Sequence, residues 1–150
     1  MKRIIIAITL VTGLSFCSKA QDYTAAAKEY CDCFRKSKDT MDIEFRELLI
    51  RVAKQPDIKT AFTKEMETLD VSKQKKLGEQ LMLLGTAMES DNTESGRCGI
   101  MLDAKYKKFN DTPEKEKDFT IKLATQLRNN KDCEFLWAVT VFALAFADGD

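Results

Sequence analysis

Five cysteines and no histidine frame the chemistry open to this chain of 150 residues. Without an imidazole, the commonest general base is missing, and with it the usual Ser and Cys relays and every His-containing zinc site. The thiols Cys17, Cys31, Cys33, Cys98 and Cys133 are the reactive inventory that is left. Cys31 and Cys33 are the informative pair, because one residue separates them. Successive helical residues turn by about 100°, so with Tyr23 at zero Phe34 falls at about 20°, Cys31 at about 80° and Cys33 at about 280°. The two thiols flank an apolar stripe on opposite sides and cannot easily bond each other within an intact helix. Each therefore needs a different partner, and two pairings are open: 31–98 with 33–133, or 31–133 with 33–98. A four-thiolate metal site is the rival reading, but structural zinc sites favour cysteines two to four residues apart on converging turns. No C-x-x-C redox motif occurs.

Carboxylates offer less. Glu65 and Glu67, or Glu114, Glu116 and Asp118, are acid/base candidates by type, yet residues two apart on a helix point in different directions. No glycine-rich phosphate loop or nucleophile motif is present. The sequence assigns no catalytic residue, no metal ligand and no cofactor, and the chain reads as non-enzymatic.

The first twenty residues read as an address. Lys2 and Arg3 precede the apolar run from Ile4 to Val11, and small or polar residues follow through Ser18-Lys19-Ala20, as in a secretory signal peptide. Cleavage is expected after Ala20, leaving 21–150 as a single domain. A lipoprotein is the alternative, since Leu14-Ser15-Phe16-Cys17 resembles a lipobox, although Phe16 stands where a small residue is usual; Cys17 would then carry the acyl anchor. Either route places the protein outside the cytoplasm, periplasmic, secreted or membrane-anchored, in a bacterial style of targeting. With Lys2, Arg3 and Lys19 gone, 24 basic and 24 acidic residues become 21 and 24, a net charge of −3. This mild acidity gives no reason to expect nucleic acid as a partner. Four cysteines remain in the exported part, an even number that reads as two disulfides.

The elements that must hold these cysteines are helical throughout, so the fold class expected is all-α. Tyr23, Ala27, Tyr30 and Phe34 mark a helix from about Asp22 to Lys38; Met41, Phe45, Leu48 and Val52 mark a second, which Pro56 ends. Asp57 opens a third with Ile58, Ala61, Phe62, Met66 and Leu69 inward. Ser72 is the expected cap of a fourth, carrying Leu77, Leu81, Leu84 and Met88. Residues Ser90 to Gly96 have the composition of an exposed loop. A fifth helix carries Cys98, Met101, Leu102, Tyr106 and Phe109, and a sixth follows Pro113 with Phe119, Leu123 and Leu127. Asp132 is the expected cap of the last helix, Cys133 to Ala147, which is apolar on every face but Thr140 and too short for a bilayer. A helix apolar all round is expected at the centre of a bundle, so the architecture is a compact bundle of six to seven helices around it.

Gly78 and Gly85 share one flank of the fourth helix and are expected to admit a neighbouring helix closely; the alternative is a groove lined by Met82 and Met88. The lysines at 73, 75, 76, 105, 107 and 108 read as solvated helix faces. Two functions follow. The first is a binding or interaction module that meets a protein partner through helix faces and the segment from Ser90 to Arg97. The second is a carrier of an apolar small molecule or lipid, in a cavity near Met82, Met88, Phe142 and Phe146.

Overall fold

A computed structural model describes residues 14–147 and consists of seven α-helices joined by short connections. They are α1 (Leu14–Thr40), α2 (Ile43–Ala53), α3 (Ile58–Thr68), α4 (Val71–Glu89), α5 (Glu94–Lys105), α6 (Pro113–Arg128) and α7 (Glu134–Ala147). Single 3-10 turns follow α5 at Lys107–Phe109 and precede α7 at Lys131–Cys133. Most of the expected signal segment lies outside the described residues; α1 begins at Leu14 and runs through the expected cleavage point after Ala20.

Local side-chain chemistry sets the starts. Asp42, Asp57 and Asp70 cap α2, α3 and α4, accepting from the backbone N–H of Glu44, Thr60 and Lys73 at 2.9–3.0 Å. The cap of α4 is thus Asp70, not Ser72: an aspartate two residues upstream reaches the first free N–H groups before the serine can. Thr93 and Thr112 cap α5 and α6, with Pro113 at the first turn of α6. Asn130, not Asp132, caps the turn into α7, accepting from the Asp132 N–H.

The loop after α4 is shorter than its composition suggests. It spans only the residues between Glu89 and Glu94, because Thr93 accepts from the Gly96 N–H and starts α5 there. Ser95 and Gly96 are buried, and the Ser95 hydroxyl bonds Ser37 and donates to the Cys33 carbonyl of α1. The exposed connection is thus confined to a short turn at Asp91-Asn92, while Thr93 serves as cap and Ser95 as tertiary contact.

The core joins α1, α2, α6 and the first half of α7. Phe135, Leu136, Trp137, Ala138 and Val139 of α7 are buried among Phe34, Phe45, Leu49, Val52, Leu123 and Leu127. Phe135 stacks on Phe34 and meets Phe45 edge-on. At one end Tyr23, Tyr30, Tyr106, Phe109 and Phe119 form a five-ring cluster between α1, α5 and α6. At the other, the second half of α7 packs Phe142 and Phe146 on Phe62 of α3. The last helix is central only in its first half; beyond Val139, α3 covers one side and Phe146 is 44% exposed. None of α3 is fully buried. Among the described residues, no helix is long and apolar enough to cross a membrane.

Candidate functional site

The cysteines resolve into one of the two open pairings. Cys31 bonds Cys133 and Cys33 bonds Cys98, with Cα atoms 5.5 and 5.7 Å apart. Their opposite directions on α1 decide this: one flank looks toward the turn before α7, the other toward α5. The Ser95 hydroxyl, bonded to the Cys33 carbonyl, fixes the start of α5 on the Cys33 side. Cys31 and Cys133 are buried, whereas Cys33 and Cys98 are half-buried. Cys17 falls on the first turns of α1. Among the described residues, no group of three or more His, Cys, Asp or Glu could hold a metal ion.

The four apolar candidates do not gather around one space. Phe142 and Phe146 lie 4.6 Å apart by ring centroid, against Phe62, with the Lys59 ammonium over Phe146. Met82 and Met88 stand on α4 with 76% and 39% exposure, and neither they nor the two phenylalanines line any of the clefts described below. Among the described residues, no neighbouring helix approaches Gly78 or Gly85: nothing lies within 4 Å of where a Cβ would stand at either. With Val71 at zero on the helical wheel, Met82, Gly78 and Gly85 fall within about 40° of it, while Leu77 and Leu84 turn to the core on another side. The outer face of α4 is therefore an open strip of Val71, Gly78, Met82 and Gly85. Met101, expected in the core of α5, is 67% exposed; its neighbour Leu102 occupies the buried position.

A groove of about 300 Å³ runs between α2, α3 and α4 over Phe45, Leu48, Leu69 and Leu77. Charge pairs close its rim. Arg51 donates through Nε and Nη2 to both oxygens of Glu65 at 2.9 Å, and these bonds hold the Glu65 carboxyl below its usual range. The Lys76 ammonium lies 2.6 Å from Asp42 and lowers that carboxyl likewise, with the Glu44 N–H as second cause. A second cleft, about 430 Å³, borders the Cys31–Cys133 bond beside Gln126, Asn129 and Asn130. A third, about 590 Å³, lies over Tyr23 and Phe109, with Lys108 4.5 Å from the Phe109 ring centre and Lys122 5.4 Å from that of Tyr23. A fourth, about 460 Å³, follows the α2–α3 connection at Pro56. A fifth, about 210 Å³, lies between the end of α1, α2 and the turn before α7, and Lys38, Arg46 and Lys131 are in its lining.

Two features escape the sequence reading. Tyr30 donates to the Asp103 carboxylate of α5 at 2.5 Å, and burial first, then this bond, raises the phenol far above its ordinary value. Arg46 is the other: its Nε–H is buried with no acceptor among the described residues. Neither residue belongs to a motif, because each acquires its surroundings only when distant helices meet.

These features define a class: an all-α bundle stapled through its first helix by two disulfides, with shallow clefts and one open helix face. Compared with known proteins, the chain matches no family model, no curated protein and no solved structure.

Proposed function

We propose that this chain is an exported, non-catalytic interaction module that meets a helical segment of a protein partner with the outer face of α4. One observation carries the reading. Val71 and Met82 are 81% and 76% exposed, and Gly78 and Gly85 beside them leave space that none of the described residues fills. A glycine inside a helix costs about 1 kcal/mol relative to alanine. Two of them on one strip, with Val71 and Met82 as its apolar members and Lys75 at its edge, let a partner backbone lie close, with Met82 as an adaptable knob. Export is supported by the charged, then apolar, start of the chain and by disulfides, which persist in oxidising compartments. A lipid on Cys17 is the alternative address for the same module.

The test separates this reading from a carrier. The protein is purified gently from its native host and weighed intact by native mass spectrometry, alongside M82K and the double variant G78A/G85A. The expected result is a stoichiometric protein partner that both variants lose, although G78A/G85A raises the melting temperature. A retained apolar small molecule that neither variant displaces overturns the interaction module in favour of the carrier.

A further inference from the structure

The cleft at Arg46, between α1, α2 and the turn before α7, holds an imbalance of charge. Some surface cations pair with nearby carboxylates, as Lys36 does with Glu94 and Lys105 with Glu29, while others, such as Lys64 and Lys107, stand without an ion pair among the described residues. Lys38 at the end of α1 and Lys131 before α7 have no ion pair among the described residues, and both line this cleft with Arg46 of α2. Asp42 feels the charge of Arg46, but its oxygens already take Lys76 and the Glu44 N–H. Of the two carboxylates in the lining, Glu134 is held by Lys54 at 2.7 Å, which leaves Glu47 against three cations. A buried guanidinium N–H without an acceptor is costly, and folded proteins rarely leave one so. Ile43, Ile50 and Phe135 supply apolar wall, and Ile43 is largely exposed.

We propose that this cleft binds a small organic anion, a carboxylate or phosphate ester carrying a short apolar group. Arg46, which lines the cleft and whose Nε–H lacks an acceptor among the described residues, is the directional donor, since its planar fork matches two oxygens at once. Lys38 and Lys131 supply charge on either side, and Ile43 and Ile50 take the apolar part. The volume of about 210 Å³ suits an anionic group with a few carbons. The site shares no residue with the outer face of α4, so each proposal stands without the other.

The experiment is an NMR titration of the full disulfide-bonded chain with hexanoate and with butyl phosphate in separate arms, and with hexanol as the uncharged control. The two arms tell a carboxylate ligand from a phosphate ester. Saturable shifts are expected at the Arg46 Nε–H and at the amides of Ile43 and Lys131 with at least one anion, weakening as salt rises. R46Q is expected to weaken binding by about tenfold or more, the size of a lost charged hydrogen bond. The double variant K38Q/K131Q, on two solvated side chains, is expected to weaken binding and flatten the salt dependence even if R46Q fails to fold. No saturable response to either anion, an equal response to hexanol, or unchanged affinity in the double variant overturns the proposal.

Discussion

Glu65 and Arg51 meet through two hydrogen bonds across the α2–α3 groove, and the pair makes stability depend on pH in a defined direction. The folded Glu65 carboxyl lies below its ordinary value, chiefly through the Arg51 bonds, and Asp42 is lowered beside Lys76. In the unfolded chain a glutamate titrates at about 4.3. A group lowered on folding contributes stability that is complete above the unfolded value and lost as pH falls through the folded one. Urea midpoints should therefore fall as the solution is taken from about pH 5 downward. E65Q should be less stable than the parent at neutral pH by about 0.5 kcal/mol, the scale of a partly exposed pair, and the two should converge at about pH 2. A gap that stays constant across that range would assign the pair no electrostatic role. At this scale the sequence revealed directions better than partners. The spacing of Cys31 and Cys33 showed that they diverge, but choosing between Cys98 and Cys133 required the positions of α5 and α7, which depend on contacts such as Ser37 with Ser95.

Glycines show how the same residue type does opposite work in adjacent elements. In α5, a Cβ on Gly96 would overlap the Ser90 carbonyl, so the turn from α4 into α5 closes only over a hydrogen. In α4, Gly78 and Gly85 face open space. G96A should lower stability by about 1–3 kcal/mol, the usual cost of overpacking, while G78A and G85A should each raise it by about 0.5–1 kcal/mol. Denaturant midpoints of the three variants check this, and a stabilised G96A would sink the account of the turn. The helices themselves were legible because apolar residues recur at helical spacing, and their ends were legible where a capping residue and Pro113 coincide. Ser90 to Gly96 misled because Ser, Asp, Asn, Thr and Gly favour caps as much as loops. Two neighbouring apolar residues such as Met101 and Leu102 compete for one buried position, and only the docked partner α1 decides between them.

For the molecule as a whole, burial orders the two covalent bonds. Cys33–Cys98 is half-buried and Cys31–Cys133 lies in the core, so limited reductant should open the first while the second persists. Alkylation after graded reduction, followed by peptide mapping, should find labelled Cys33 and Cys98 first; simultaneous labelling of all four would contradict it. Each bond closes a long loop, 65 and 102 residues, for which the chain-entropy account gives about 4–5 kcal/mol. That is close to the net stability of an ordinary domain. The apolar last helix signalled a core from its composition, yet composition could not say that only its first half is enclosed, because this depends on how far the short α3 reaches. Nesting of the two bonds has a last consequence, for survival. The ring closed by Cys33 and Cys98 sits inside the one closed by Cys31 and Cys133, so a protease cut at the exposed Asp91-Asn92 yields pieces tied at two points. A clipped molecule should migrate as one band without reductant and as two with it, persisting as a single particle where a clipped chain without such ties would fall into two.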